Sequence, residues 1–147
     1  MLKRDESYAI HALISIFENP GTNAAEIAER LQAPPAFLAK VLRKLVTAGF
    51  IRSHMGRNGG VELLADLSTV TMLDVIEAVS GKVVIDTCQT KERCATQLRK
   101  GHCRLRGAWN STGRIIRQAF QQVTLSTLCD DPPLSPGPDA VPLPGAR

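Results

Sequence analysis

Aromatic residues are scarce in this chain: one Trp, one Tyr and four Phe make up 4% of its 147 residues. With 44% hydrophobic residues overall, the core must come from Leu, Ile, Val and Ala, a balance that favours packed helices. Nothing approaches the roughly 20 consecutive apolar residues that a membrane-spanning helix needs. Lys3 and Arg4 precede an apolar run, loosely like a secretory leader. However, Asp5 and Glu6 break the positive region, His11 interrupts the run, and no small-residue cleavage site follows Phe17. A cytoplasmic chain is therefore expected, whose four cysteines stay reduced and serve metal or redox chemistry. The close Cys-x-x-Cys pairs usual in structural zinc sites are missing. The glycine-rich stretch 56–60 lacks the lysine and the strand-to-helix setting of a phosphate cradle. No Ser or Cys stands beside an obvious base and orienting acid. These absences argue against an enzyme.

What is present is an uneven distribution of charge. Residues 1–60 carry eight basic and five acidic side chains, residues 61–90 one and five, and residues 91–117 eight and one. The net charge of +4 suits a polyanionic partner. The length allows one well-buried core and is short for two independent ones.

Hydrophobic spacing predicts a mainly α fold with a small β-hairpin. Tyr8, Ala12, Leu13, Ile16 and Phe17 mark a first helix over residues 5–18, stopped by Asn19-Pro20-Gly21. Asn23 and Glu26 form a capping-box pattern for a second helix with Ala24, Ile27, Ala28 and Leu31 inward. After a short turn, Pro34-Pro35 opens a third helix running to Ala48, with Gly49 as its C-cap. Leu38, Val41, Leu42 and Leu45 share one side of that helix. Ala36, Ala39, Lys40, Arg43 and Thr47 share the other, with Lys44 at the edge. Residues 50–54 and 61–64 read as the two arms of a hairpin with a glycine-rich tip, and a short helix follows over 71–79. Residues 82–103 show little periodicity and read as a loop with one helical turn. A long helix over 104–122 places Leu105, Trp109, Thr112, Ile116, Ala119 and Val123 on one seam. Six of the nine prolines follow Asp130, so residues 130–147 read as a disordered tail.

Helix, short turn, helix and glycine-tipped hairpin, in that order, form a winged helix–turn–helix. The major groove admits one helix with an apolar inner face and a polar outer one. The candidate contacts with DNA are Ala36, Lys40, Arg43 and Lys44 on the third helix, and Arg57 and Asn58 at the wing tip. A charged face that is merely solvated is the alternative for any one of these lysines.

The runs Tyr8-Ala9-Ile10-His11-Ala12-Leu13, Glu26-Ile27-Ala28, Leu38-Ala39-Lys40-Val41-Leu42, Leu45 to Ile51 and Gly56-Arg57-Asn58-Gly59-Gly60 together resemble the Rrf-type regulators. That family includes the iron–sulfur cluster biogenesis repressor and the nitric-oxide-sensitive repressor of bacteria. The stretch from Thr71 to Gly81 fits the same pattern, so the resemblance covers residues 1 to about 129. Two wing positions differ: Val61 follows Gly-Gly where the family usually has tyrosine, and Met55 stands where its wing arginine precedes the first glycine. The implied organisation is a DNA-binding domain over 1–81, a cysteine-containing sensor loop over 82–103, and a dimerisation helix with a short terminal helix over 104–129.

Cys88, Cys94 and Cys103 are separated by five and eight residues. Thiolates are soft ligands suited to iron–sulfur clusters, and the arginines and lysines around them would offset a cluster's negative charge. Spacing alone leaves a cluster, a metal-free thiol switch and zinc all open. The resemblance favours a [2Fe–2S] or [4Fe–4S] cluster on these three cysteines. The second interval exceeds the family's usual one, and Arg106 occupies the place of the biogenesis regulator's histidine ligand. The candidates for a fourth ligand are His11, Asp5, Glu6 and His102, although His11, set within an apolar run, reads first as a core histidine. Cys129 reads as incidental.

The expected protein is a homodimeric regulator, more readily a repressor, that binds double-stranded promoter DNA at a pseudo-palindrome and senses nitric oxide, iron or redox state. The competing expectations are a cluster-free regulator switched by thiol oxidation, and a winged-helix adaptor that works through protein partners.

Overall fold

The computed structural model describes residues 3–54, 56, 59–92 and 94–129. The first helix, α1 (Arg4–Glu18), starts where the Glu6 carboxylate accepts the Lys3 backbone N–H at 2.6 Å. It buries Ala9, Ile10, Ala12, Leu13 and Ile16 on one side. In α2 (Ala24–Arg30) the capping box forms as the sequence predicts. Asn23 Oδ1 accepts from Glu26 N at 3.0 Å, and Glu26 Oε2 accepts from Asn23 N at 3.2 Å. Gln32, in the turn that follows, takes a φ of 48°, which ends α2 and redirects the chain.

Helix α3 (Pro35–Thr47) buries Leu38, Val41, Leu42 and Leu45, the stripe read from its spacing. Gly49 follows at φ 79°, a left-handed conformation that releases the chain into the hairpin. Strands β1 (Ile51–Ser53) and β2 (Val61–Leu63) pair antiparallel, with Ile51 opposite Leu63 and Ser53 opposite Val61. The Val61 N–H also donates to Thr22 O at 2.8 Å, which fastens the wing to the turn between α1 and α2. Residues 55, 57 and 58 of the wing tip lie outside the described residues, and so does the proline-rich stretch 130–147.

Helix α4 (Met72–Ser80) begins one residue later than its spacing predicts, because Thr71 serves as the N-cap and Asp74 closes the box. The segment between α4 and the long helix holds more structure than a loop with one turn. It contains a 3₁₀ turn (Thr87–Gln89) and α5 (Ala95–Lys100). A six-residue helix is too short to show a stripe, and its N-cap is a cysteine rather than one of the usual capping residues. Helix α6 (Arg104–Gln121) and the short α7 (Ser126–Cys129) complete the chain.

The chain end returns to the front of the molecule. Met72 N donates to Val123 O, Leu125 N to Val70 O and Ser126 N to Leu67 O, each at 2.9 Å. This strap inserts Leu125, which is fully buried, into the same core as α1, α3 and α4. Among the described residues no helix is long and apolar enough to cross a membrane. Leu125→Ala should leave a cavity where no neighbour can collapse freely and destabilise the fold by about 2–5 kcal/mol, read as a lower urea midpoint with an unchanged slope.

Candidate nucleic-acid interface and cysteine segment

Burying one stripe of α3 turns Ala36, Lys40 and Arg43 to solvent. The Arg43 Nε donates to Ala39 O at 3.3 Å and Thr47 Oγ1 to Arg43 O at 3.0 Å, so both side chains lie along the helix surface. Neither Lys40 nor Arg43 meets a carboxylate within ion-pair distance among the described residues. Lys44 differs. Its ammonium donates to Asp5 Oδ2 at 2.7 Å, joining α3 to the first turn of α1 and holding the Asp5 carboxyl below its usual pKa. Of the four α3 residues expected to meet DNA, Ala36, Lys40 and Arg43 are open to solvent and Lys44 is already engaged.

The wing carries charge that sequence reasoning missed. Glu62 lies opposite Arg52 in the hairpin register and 3.8 Å from its guanidinium, while His54 Nε2 sits 2.9 Å from Glu62 Oε2. Only the register, not the composition, could have signalled this group. Arg57 and Asn58 lie outside the described residues.

Cys88, Cys94 and Cys103 are free, half-buried thiols; Cys94 and Cys103 stand at helix starts and Cys88 within the 3₁₀ turn. Cys94 is the N-cap of α5, where the N–H groups of Gln97 and then Thr96 lower its thiol pKa. Cys103 is the N-cap of α6, with its Sγ accepting from Arg106 N at 3.4 Å. Cys88 lies in the 3₁₀ turn beside Asp86, whose hydrogen-bonded carboxylate raises its pKa. Cys103 is also near enough to act on it. Arg106 braces the group, with Nη1 on Gln97 Oε1 at 2.8 Å and Nη2 on Gln89 O at 3.5 Å. The donor chemistry fits a thiolate-bound cluster. The placement is looser, since no three His, Cys, Asp or Glu side chains among the described residues are gathered closely enough to hold one ion.

The candidate fourth ligands are scattered. Asp5 is paired with Lys44, and Glu6 is buried in its capping role. His102 is exposed, with Nδ1 3.1 Å from Lys100 O. His11 is exposed on α1, so the reading of it as a core histidine is corrected. The apolar run in which it stands wraps the helix, and position 11 falls on the side away from the core.

The α6 seam divides into two. Trp109, Ile116 and Val123 are half-buried against their own chain, whereas Leu105, Thr112 and Ala119 are exposed. Leu105 at 61% and Ile115 at 65% exposure lead an outward apolar strip that also includes Ala108. One periodicity therefore serves two faces, a distinction that spacing cannot make.

Because the thiolate is the reactive form, the two perturbed cysteines should separate by rate. In chelator-treated protein, Cys94 should alkylate with iodoacetamide at lower pH than an ordinary thiol, and Cys88 only at higher pH. Asp86→Asn should bring Cys88 back toward ordinary behaviour and leave Cys94 unchanged. Mass spectrometry of the labelled peptides across a pH series reads all of these.

The family model described as "Rrf2: Iron-dependent Transcriptional regulator" matches residues 2–131. The transcriptional regulator IscR of Vibrio vulnificus is 29% identical over 127 residues, covering 84% of this chain and 74% of that protein. The regulator YffB of Lactococcus lactis is 33% identical over 75 residues, and the match spans about half of each protein (51% and 48%). Among solved structures, T. potens IscR superposes with a TM-score of 0.67 at 18% identity, covering 87% of this chain and 85% of that one. The oxidized form of Staphylococcus aureus CymR superposes with a TM-score of 0.66 at 20% identity, covering 90% and 98%. The helix–turn–helix with its hairpin wing is thus a shared fold, and the chain belongs to the Rrf2 family of DNA-binding transcriptional regulators rather than to an enzyme family.

Proposed function

We propose that the chain is a homodimeric repressor that reads a pseudo-palindromic operator through α3 and reports the state of Cys88, Cys94 and Cys103. One observation carries the DNA-binding part: α3 buries its whole apolar stripe and leaves Lys40 and Arg43 exposed without carboxylate partners among the described residues. Such cations are available to phosphates and base edges. Arg57 and Asn58, between β1 and β2 in sequence, would extend the contact along the backbone or into the minor groove. The outward strip of Leu105, Ala108, Thr112, Ile115 and Ala119 supports pairing with a second α6, and two-fold symmetry then sets two copies of α3 on successive major grooves.

The cysteine segment is mechanically continuous with that helix. Gln89, next to Cys88, donates from Nε2 to Trp109 O at 3.2 Å and to Asn110 Oδ1 at 3.3 Å. Cys103 caps the helix itself. A change in how the thiols are held therefore reaches α6 directly, and through the strap it reaches α4. Cys88, Cys94 and Cys103 are the residues that would hold an iron–sulfur cluster, with Arg106 braced beside them as a counter-charge. When bound, such a cluster supplies redox and nitric-oxide reactivity. Regulation requires that the two states differ in affinity for operator, because equal affinity shifts nothing.

A second reading is that oxidation of these thiols, without a cluster, alters how the 3₁₀ turn and the start of α6 are held, since Cys103 caps α6 and bears electrostatically on Cys88. Anaerobic purification with visible absorption and iron and sulfide analysis separates the two. A coloured protein with stoichiometric iron and sulfide is expected. A colourless, iron-free protein whose operator affinity changes with oxidant would move the assignment to the thiols.

Replacing Arg43 and Arg57 together by Ala should weaken operator binding at moderate salt. For every phosphate that is no longer neutralised, the salt slope should fall by about 0.9, as read by fluorescence anisotropy over a salt series. Unchanged affinity would sink the DNA-binding assignment of these residues.

A further inference from the structure

The basic later segment is only partly accounted for by DNA contact and by the cysteines. Arg114 and Arg117 are among neither the candidate DNA contacts nor the cysteines' neighbours, and the fold brings them together with Lys82 from the acidic stretch before it. They line a cavity of about 320 Å³ between the segment after α4 and one side of α6, shared with Gln89, Thr90 and Asn110. Among the described residues no acidic side chain lines it. Arg117 is paired with Glu77, whose Oε1 also accepts from Val83 N at 3.1 Å, so its charge is largely met within the protein. Lys82 and Arg114 are exposed and have no carboxylate within ion-pair distance among the described residues.

The cavity is built, not incidental to a flat charged face. Gly113 is the buried residue at its floor, and a Cβ there would come within 3.2 Å of Gln89 Nε2. Glycine thus lets the Cys88-bearing turn seat on α6. The Gln89 side chain is fully used in that seating, accepting from Ile85 N at 2.6 Å and Asp86 N at 3.1 Å, and donating to α6. Asn110 spends its Oδ1 as an acceptor from Gln89, which leaves its Nδ2 as a donor. Cations and an amide donor around a concavity are what a small anion needs, and guanidinium groups match phosphate and carboxylate oxygens as paired donors. The volume falls at the lower end of small-molecule sites.

The direction of the cavity matters as well. At about 100° per residue, Asn110, Gly113, Arg114 and Arg117 occupy the side of α6 opposite Ala108, Ile115 and Ala119. Pairing of two copies through the apolar strip leaves the cavity open.

We propose that this cavity is a binding site for a compact organic anion bearing phosphate or carboxylate groups. A ligand there would bridge the Cys88-bearing turn and α6, so that an anionic metabolite and the thiol state act on one joint. The proposal is independent of the DNA-contact assignment, which the Arg43 and Arg57 substitutions test separately.

The probe is 3-phosphoglycerate, titrated calorimetrically into the full chain, with glycerol and ionic-strength-matched sodium chloride as controls. Saturable binding is expected for 3-phosphoglycerate alone. Lys82→Ala/Arg114→Ala should weaken it at least tenfold. Asn110→Asp, which keeps the acceptor for Gln89 while adding a negative charge to the wall, should weaken it as strongly. Absence of saturable heat, or equal affinity in the wild-type chain and both variants, overturns the proposal. A third result also overturns it, by assigning the cations to the DNA backbone: Lys82→Ala/Arg114→Ala lowers the salt slope of operator binding while 3-phosphoglycerate gives no heat.

Discussion

Burial of the Leu38, Val41, Leu42 and Leu45 stripe against α1 and α4 is the constraint on which the rest of the molecule depends. A helix can hide only one side. Once those four residues are inside, the azimuth of Lys40 and Arg43 is settled without any contact of their own. Four aliphatic side chains of this size each contribute on the order of 1.5–3 kcal/mol on burial, far more than a solvated lysine can contribute by choosing another direction. The hydrophobic term thus aims the electrostatic one.

The same core receives the chain's far end. Leu125 enters between elements formed from the first half of the sequence, and three backbone hydrogen bonds hold the strap in register. The cysteine segment therefore lies in a closed loop of structure, bounded by α4 at one end and by α6 and the strap at the other. A loop tethered at both ends to one core transmits displacement, whereas a free arm would absorb it.

What could be read from the sequence followed the range of the interaction. Asn23 with Glu26, the two sides of α3 and the hairpin arms all rest on neighbours a few residues apart, and they were legible. Helix α5 was not, since six residues offer less than two turns of periodicity and Cys94 is an unusual cap. The pairing of Lys44 with Asp5 spans 39 positions and leaves no local trace. For α6, spacing revealed an apolar seam but not that Trp109 and Ile116 face their own chain while Leu105 and Ile115 face outward. The candidate contacts on α3 and the candidate cysteines were named from residue type and order. What each meets in space, Asp86 beside Cys88 above all, needed the fold.

The Lys44–Asp5 pair has a consequence for how α3 meets a polyanion. The protein supplies its own counter-ion at that position, so an approaching duplex finds one fewer bare cation than the helix's sequence advertises. If a phosphate oxygen takes the ammonium, it replaces a carboxylate and not a bulk chloride, and the N-terminal turn of α1 loses its tether in the same exchange. Were α3 to enter a groove, its occupancy and the lie of α1's first turn would then be two ends of a single lever.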